Sequence, residues 1–81
     1  MWIRSQDTRL IIDADKLLAR EVLGILGKYE IINIGENTNY RLGIYSSLKK
    51  AGKVMDSIHY KLNNPEETGT TVFQMPADEN I

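Results

Sequence analysis

Residues 47–63 read Ser-Leu-Lys-Lys-Ala-Gly-Lys-Val-Met-Asp-Ser-Ile-His-Tyr-Lys-Leu-Asn, and the fold turns on this stretch. Leu48, Ala51, Met55, Ile58 and Leu62 recur at spacings of three, four, three and four, with Val54 beside them. That rhythm stacks apolar side chains on one face of an α-helix. Ser46 or Ser47 can cap its start by accepting from an orphan backbone N–H. Asn63, Asn64 and Pro65 end it, because proline cannot continue the helical ladder and biases its predecessor away from helix. Gly52 inside the helix costs about 1 kcal/mol relative to alanine. Close approach to a neighbouring strand would offset that cost.

Outward from the helix the pattern changes to strands. Residues 40–45 alternate, with Tyr40, Leu42 and Ile44 on one face and Arg41, Gly43 and Tyr45 on the other. They return from residues 29–34 through Gly35-Glu36-Asn37-Thr38-Asn39, residues that tolerate positive φ or bond their own backbone. Residues 2–6 and 9–13 form a predicted hairpin. Residues 70–75 give a last strand, stopped by Pro76, and the polar residues 77–81 are expected to fray. Residues 15–27 read two ways. Leu18, Val22, Ile25 and Leu26 fit a helix capped by Asp15 and stopped by Gly27. Residues 16–22 also alternate as a strand. Local pattern alone leans to helix.

The expected fold is α+β: a small antiparallel sheet of four or five strands with one main helix, about residues 47–63, packed on one face. Residues 1–76 form the expected single domain. Its expected core is Ile3, Leu10, Ile12, Leu18, Val22, Ile31, Leu42, Ile44, Leu48, Ala51, Met55, Ile58, Leu62, Val72 and Phe73.

Composition supports a globular domain, since 42% of the 81 residues are hydrophobic and 26% charged. A chain of this size has a stability on the order of 4–12 kcal/mol. There is no cysteine, which favours an intracellular, cytoplasmic home over a disulfide-stapled secreted one. Arg4 and Asp7 interrupt the place a signal peptide would keep apolar. The longest apolar runs, 10–12 and 22–26, fall far short of the roughly 20 residues that span a bilayer, so no membrane partner is expected. The formal net charge of −1 argues against a surface built wholly for nucleic acid.

Several short motifs point the same way. They are Met1-Trp2-Ile3-Arg4-Ser5-Gln6-Asp7, Leu42-Gly43-Ile44-Tyr45-Ser46-Ser47 leading into the helix, Ala51…Val54-Met55-Asp56…Ile58, and Val72-Phe73-Gln74-Met75-Pro76. Together they resemble a group of small uncharacterised proteins of Gram-positive bacteria and their phages or prophages. The resemblance spans most of the chain and is weakest over residues 22–28. Lys49-Lys50 stands where a glutamate is common in the group, and Met55-Asp56 where Leu-Asp is frequent. It implies a strand-rich sheet crossed by one helix, which tips residues 16–22 toward strand. It implies no activity, cofactor or catalytic residue.

The residues themselves offer little chemistry. His59 is the lone histidine, whereas zinc sites need three or four ligands. Ser57, two positions away, does not face it on a helix. Asp13 and Asp15 could share a strand face and hold a cation, but a capping role is favoured. Gly24-Ile25-Leu26-Gly27-Lys28 lacks the spacing and the Ser/Thr of a phosphate loop, and its apolar centre is expected to point into the core. No catalytic, cofactor-binding or metal-ligating residue is assigned, and an enzyme is not expected.

Two surface features remain. Lys49, Lys50, Lys53 and Lys61 lie off the predicted apolar stripe with Asp56 the only acid among them, and Arg41 and Tyr45 lie just before. Such a face could track a phosphate backbone. Trp2 is expected under the helix against Ile58 or Leu62, with an exposed interface anchor as the alternative. The lack of a catalytic constellation points to a non-enzymatic accessory or interaction protein with another protein as partner, and the resemblance implies that it is phage- or prophage-related. The alternative is weak nucleic-acid binding through the lysine-rich helix face.

Overall fold

Strands β1 (Trp2–Arg4), β2 (Ile11–Asp13), β3 (Leu17–Glu21), β4 (Tyr29–Ile34) and β5 (Asn39–Tyr45) precede helix α1 (Leu48–Asn63). Strand β6 (Val72–Gln74) and a short 3-10 helix, Asp78–Asn80, follow it. The structure is a computed structural model that describes residues 1–64 and 72–81. Pro65, the acidic pair Glu66-Glu67 and the first two residues of the strand expected at 70–75 lie outside the described residues.

The fold is α+β, as the sequence predicts, but the strands divide into two sheets of three, ordered β2-β1-β6 and β3-β4-β5. The predicted hairpin is present, with Ile3 opposite Ile12 in antiparallel register. β6 then joins β1 in parallel, Phe73 opposite Ile3. The seam between the sheets is held by Gln6. Its backbone N–H donates to Leu42 O at 2.7 Å. Its side-chain Nε2 donates to Ile44 O at 3.0 Å, and its Oε1 accepts from Ile44 N at 3.0 Å. One glutamine amide therefore gives Ile44 both of the partners that a neighbouring strand would supply.

The C-terminal segment closes on the same seam. Met75 N donates to Arg4 O at 3.0 Å, and Gln74 Nε2 to Ser5 O at 3.0 Å. Pro76 O accepts from Gln6 Nε2 at 3.2 Å and from the Tyr45 hydroxyl at 2.9 Å. Burial, and then the charge of Asp78, push the Tyr45 hydroxyl up to about 12. Three of the short motifs noted in the sequence thus hold one another. Residues 77–81 are not a frayed end. Asp78 Oδ1 accepts from Ser46 N and Oγ at 2.9 and 3.2 Å, Lys50 Nζ donates to Asp78 O at 3.0 Å, and Ile81 packs against the core.

The ambiguous stretch 15–27 contains a strand, not a helix. β3 pairs with β4 from Leu17 opposite Asn33 to Glu21 opposite Tyr29. Asn33 Oδ1 fixes its entry by accepting from Asp15 N and Lys16 N, each at 3.2 Å. Five consecutive cross-strand pairs outweigh the helical preference of the local sequence.

α1 lies across β3, β4 and β5. Ser47 caps it, its Oγ accepting from Lys50 N at 3.1 Å. The buried stripe is Ala51, Val54, Ile58 and Lys61. The helix is therefore rotated from the expected 48-51-55-58-62 seam, and Leu48 and Leu62 are exposed. Gly52 makes no close approach to a strand, since a Cβ there would meet nothing within 4 Å. The main core joins Ala51, Val54 and Ile58 to Ile3, Ala14, Ile31, Leu42, Tyr45 and Met75. Ala14, Tyr45, Val54 and Met75 are additions to the expected set, and Leu18 leaves it by lying exposed on the outer face of β3.

Candidate binding site

The site begins with one extra residue in β5. β4 and β5 pair from Tyr29 opposite Tyr45 to Ile31 opposite Gly43, and then Ile32 faces Arg41 across a β-bulge. Leu42 is the inserted residue. Simple alternation places Arg41 on the face of Gly43 and Tyr45, which is the helix side. The bulge reverses this. Leu42 turns into the core, and Arg41 emerges on the outer face of the sheet.

There it meets Glu30. Arg20 stands directly opposite Glu30 on β3 and donates from Nε to Oε2 at 2.8 Å. Arg41 donates from Nε to Oε1 at 2.8 Å. The Glu30 side chain is only 7% exposed, while Arg20 and Arg41 are 48% and 53% exposed. The hydrogen bond from Arg20 does most to hold the Glu30 carboxyl below its ordinary 4.5; burial opposes it, and the bond and charge of Arg41 add to it. Around Glu30 lies an open recess of about 380 Å³ lined by Arg20, Val22, Leu23, Ile32, Asn39 and Arg41. Val22 and Ile32 are buried and form its apolar floor.

This carboxylate sets a pH dependence. A carboxyl whose folded pKa is depressed contributes stability that is present above its unfolded pKa and lost as pH falls through the folded one. The protein is therefore expected to lose urea resistance below pH 4.5, with part of that loss absent in Glu30→Gln. Asp7 and Asp78 are also depressed, so the difference between wild type and variant isolates Glu30. Parallel acid losses in the two proteins would remove Glu30 as a contributor.

The recess runs into the β3–β4 hairpin end. Val22 N donates to Lys28 O at 2.8 Å and Ile25 N to Val22 O at 3.1 Å. Gly24 and Gly27 take φ of 82° and 83°, a left-handed backbone that glycine adopts without strain. The turn holds Leu23 98% and Leu26 92% exposed, with Ile25 half-exposed. The sequence reading aimed this apolar centre into the core. The loop is too short to fold back over either sheet face, so the side chains project outward.

No protein-family model, curated protein or solved structure matches this chain.

The surface residues singled out in the sequence do not converge. Arg41 belongs to the recess and is engaged with Glu30. Lys49 and Lys53 are exposed on α1. Lys50 is tied to Asp78. Lys61 is buried in the helix stripe, its ammonium 5.9 Å from the centre of the Phe73 ring. Trp2 is half-exposed on β1 and not under the helix, because Ile3 is the residue of that strand turned inward. His59, Asp13 and Asp15 are exposed, and among the described residues no three His, Cys, Asp or Glu side chains gather to hold a metal ion. No helix of the described residues is long and apolar enough to cross a membrane.

Sequence reasoning missed Arg20, Glu30, Leu23 and Leu26. The first two become partners only through the β3–β4 register. Of the last two, Leu26 carried a signal, because the apolar pair Ile25-Leu26, enclosed by Gly24 and Gly27 and directly preceded by Leu23, sits in a turn with no length to reach the core.

Proposed function

We propose that this chain is a small interaction protein, without catalysis of its own, that binds another protein through the β3–β4 hairpin end of its second sheet. The observation that carries the reading is the near-complete exposure of Leu23 and Leu26 on an ordered turn. Apolar surface left in water forgoes about 25 cal/mol per Å² of burial. A hairpin that already holds these side chains outward gives up little further entropy when a partner covers them. The resemblance to small proteins of Gram-positive bacteria and their phages or prophages supports an accessory role of this kind.

The test is site-specific photo-crosslinking in source cells, with the reactive residue placed at Leu23 or, as a control, at His59 on α1. A discrete heteromeric adduct from position 23 that position 59 does not give is the expected result. An adduct of two copies of this chain, or of nucleic acid, overturns the reading, as does the absence of any adduct specific to position 23.

A further inference from the structure

The recess beside the hairpin carries more than the exposed tip does. Arg20 and Arg41 each use Nε to hold Glu30. Among the described residues the Nη atoms of both guanidiniums make no hydrogen bond, and about half of each side chain faces solvent. A guanidinium presents its remaining donors as a planar fork that matches a carboxylate or phosphate. Two such forks stand here over one buried anchor, with the Asn39 side chain at the rim and Leu23, Val22 and Ile32 as apolar walls.

We propose that this recess binds the C-terminal carboxylate of a partner protein whose last residue is branched and apolar. The inference rests on the interaction reading above for the source of the carboxylate, but the recess can be tested without any partner. Charge selects the ligand. Arg20, Arg41 and Glu30 together carry one net positive charge. A monoanion neutralises that charge. A dianionic phosphate overcompensates it and sets its second charge near the Glu30 carboxylate. The apolar walls select in the same direction, since Ile32 and Val22 give a branched alkyl group a dry surface and give a phosphate ester nothing. Preorganisation adds to both effects. The shared carboxylate has already fixed the two long arginine side chains, which otherwise lose rotamer freedom on binding.

The experiment is an NMR titration of the whole protein, nitrogen-labelled at arginine and along the backbone, with sodium isovalerate. Sodium acetate, inorganic phosphate and sodium chloride at matched ionic strength are run beside it at pH 7.5. Saturable shifts are expected at the Nε–H resonances of Arg20 and Arg41 and at the amides of Val22, Ile32 and Asn39. Isovalerate is expected to bind more tightly than acetate or phosphate. Arg20→Gln is expected to weaken it about tenfold, the range of a lost charge-assisted hydrogen bond. Arg41→Lys keeps a cation for Glu30 and so guards against loss of fold, yet removes the fork and is expected to weaken binding similarly. Lys49→Gln on α1 is expected to change nothing. Shifts that never saturate and match those with chloride overturn the proposal. So does phosphate binding more tightly than isovalerate, or Arg41→Lys binding as wild type. Heteromeric crosslinking at Leu23 without isovalerate binding would remove the recess and leave the interaction reading in place. Isovalerate binding without crosslinking would do the reverse.

Discussion

Gly43→Val is expected to abolish the cooperative fold at room temperature, and Gly43→Ala to cost about 2–6 kcal/mol. Gly43 has no left-handed φ to protect. What it protects is the Tyr45 ring, which lies over its Cα. A Cβ at position 43 would stand 2.8 Å from the Tyr45 hydroxyl oxygen, 2.9 Å from Cε2 and 3.1 Å from Cζ. The ring has nowhere to go. Tyr45 is 1% exposed, belongs to the main core and donates its hydroxyl proton to Pro76 O. Moving it strains the core, at about 1–3 kcal/mol, and breaks a buried hydrogen bond, at a further 1–3 kcal/mol or so. Valine adds two more methyl groups to the same collision. The sum approaches a total stability on the order of 4–12 kcal/mol. Urea unfolding followed by near-ultraviolet circular dichroism reads both variants. Tyr45→Phe is expected to rescue Gly43→Ala only in part, because Cε2 remains in the way. An alanine variant as stable as wild type would show that the ring has room.

The same strand shows where sequence reading works and where it stops. The helix and its Ser47 cap are written in spacing and residue type, so they were legible. So were the β1–β2 hairpin and the turn between β4 and β5, because each depends on residues close in sequence. The rotation of the helix was not. Leu48 and Leu62 complete an apolar stripe on paper, but the buried face of the helix takes Val54 and Lys61 instead. The division into two sheets was also hidden, since the parallel pairing of β6 with β1 joins the two ends of the chain. The bulge matters most for the site. Period-two alternation across residues 40–45 assumes an unbroken ladder, and one inserted residue at Leu42 exchanges the faces of everything before it. Arg41 was picked out in the sequence as a surface cation beside the lysine helix. Its actual partner, Glu30, lies on the far side of the sheet, and nothing local in the sequence joins the two.

Gln6→Glu is expected to cost about 3 kcal/mol at pH 7, more than Gln6→Ala, and to recover much of the difference on acidification. Gln6 is placed as a donor and acceptor at once. Nε2 gives its two protons to Ile44 O and Pro76 O, while Oε1 accepts from Ile44 N. Glutamate keeps the acceptor and turns its other oxygen toward two carbonyl oxygens with no proton between. Two hydrogen bonds worth about 0.5–1.5 kcal/mol each are lost, and a partly buried charge faces two negative dipole ends. Alanine loses the bonds and strands Ile44 N, but brings no charge. The sign of the pH effect follows. An ionised carboxyl in this place is disfavoured, so its folded pKa rises above the ordinary value of about 4.3. Stability is then retained below that value, where the protonated acid donates to one carbonyl, and is lost as pH rises through the raised folded pKa. Urea midpoints at pH 4 and pH 7, each referred to wild type at the same pH, read the effect free of the Glu30 contribution. A Gln6→Glu deficit that stays constant with pH, or that never exceeds the alanine deficit, would mean that the seam between the sheets does not depend on the glutamine's protons.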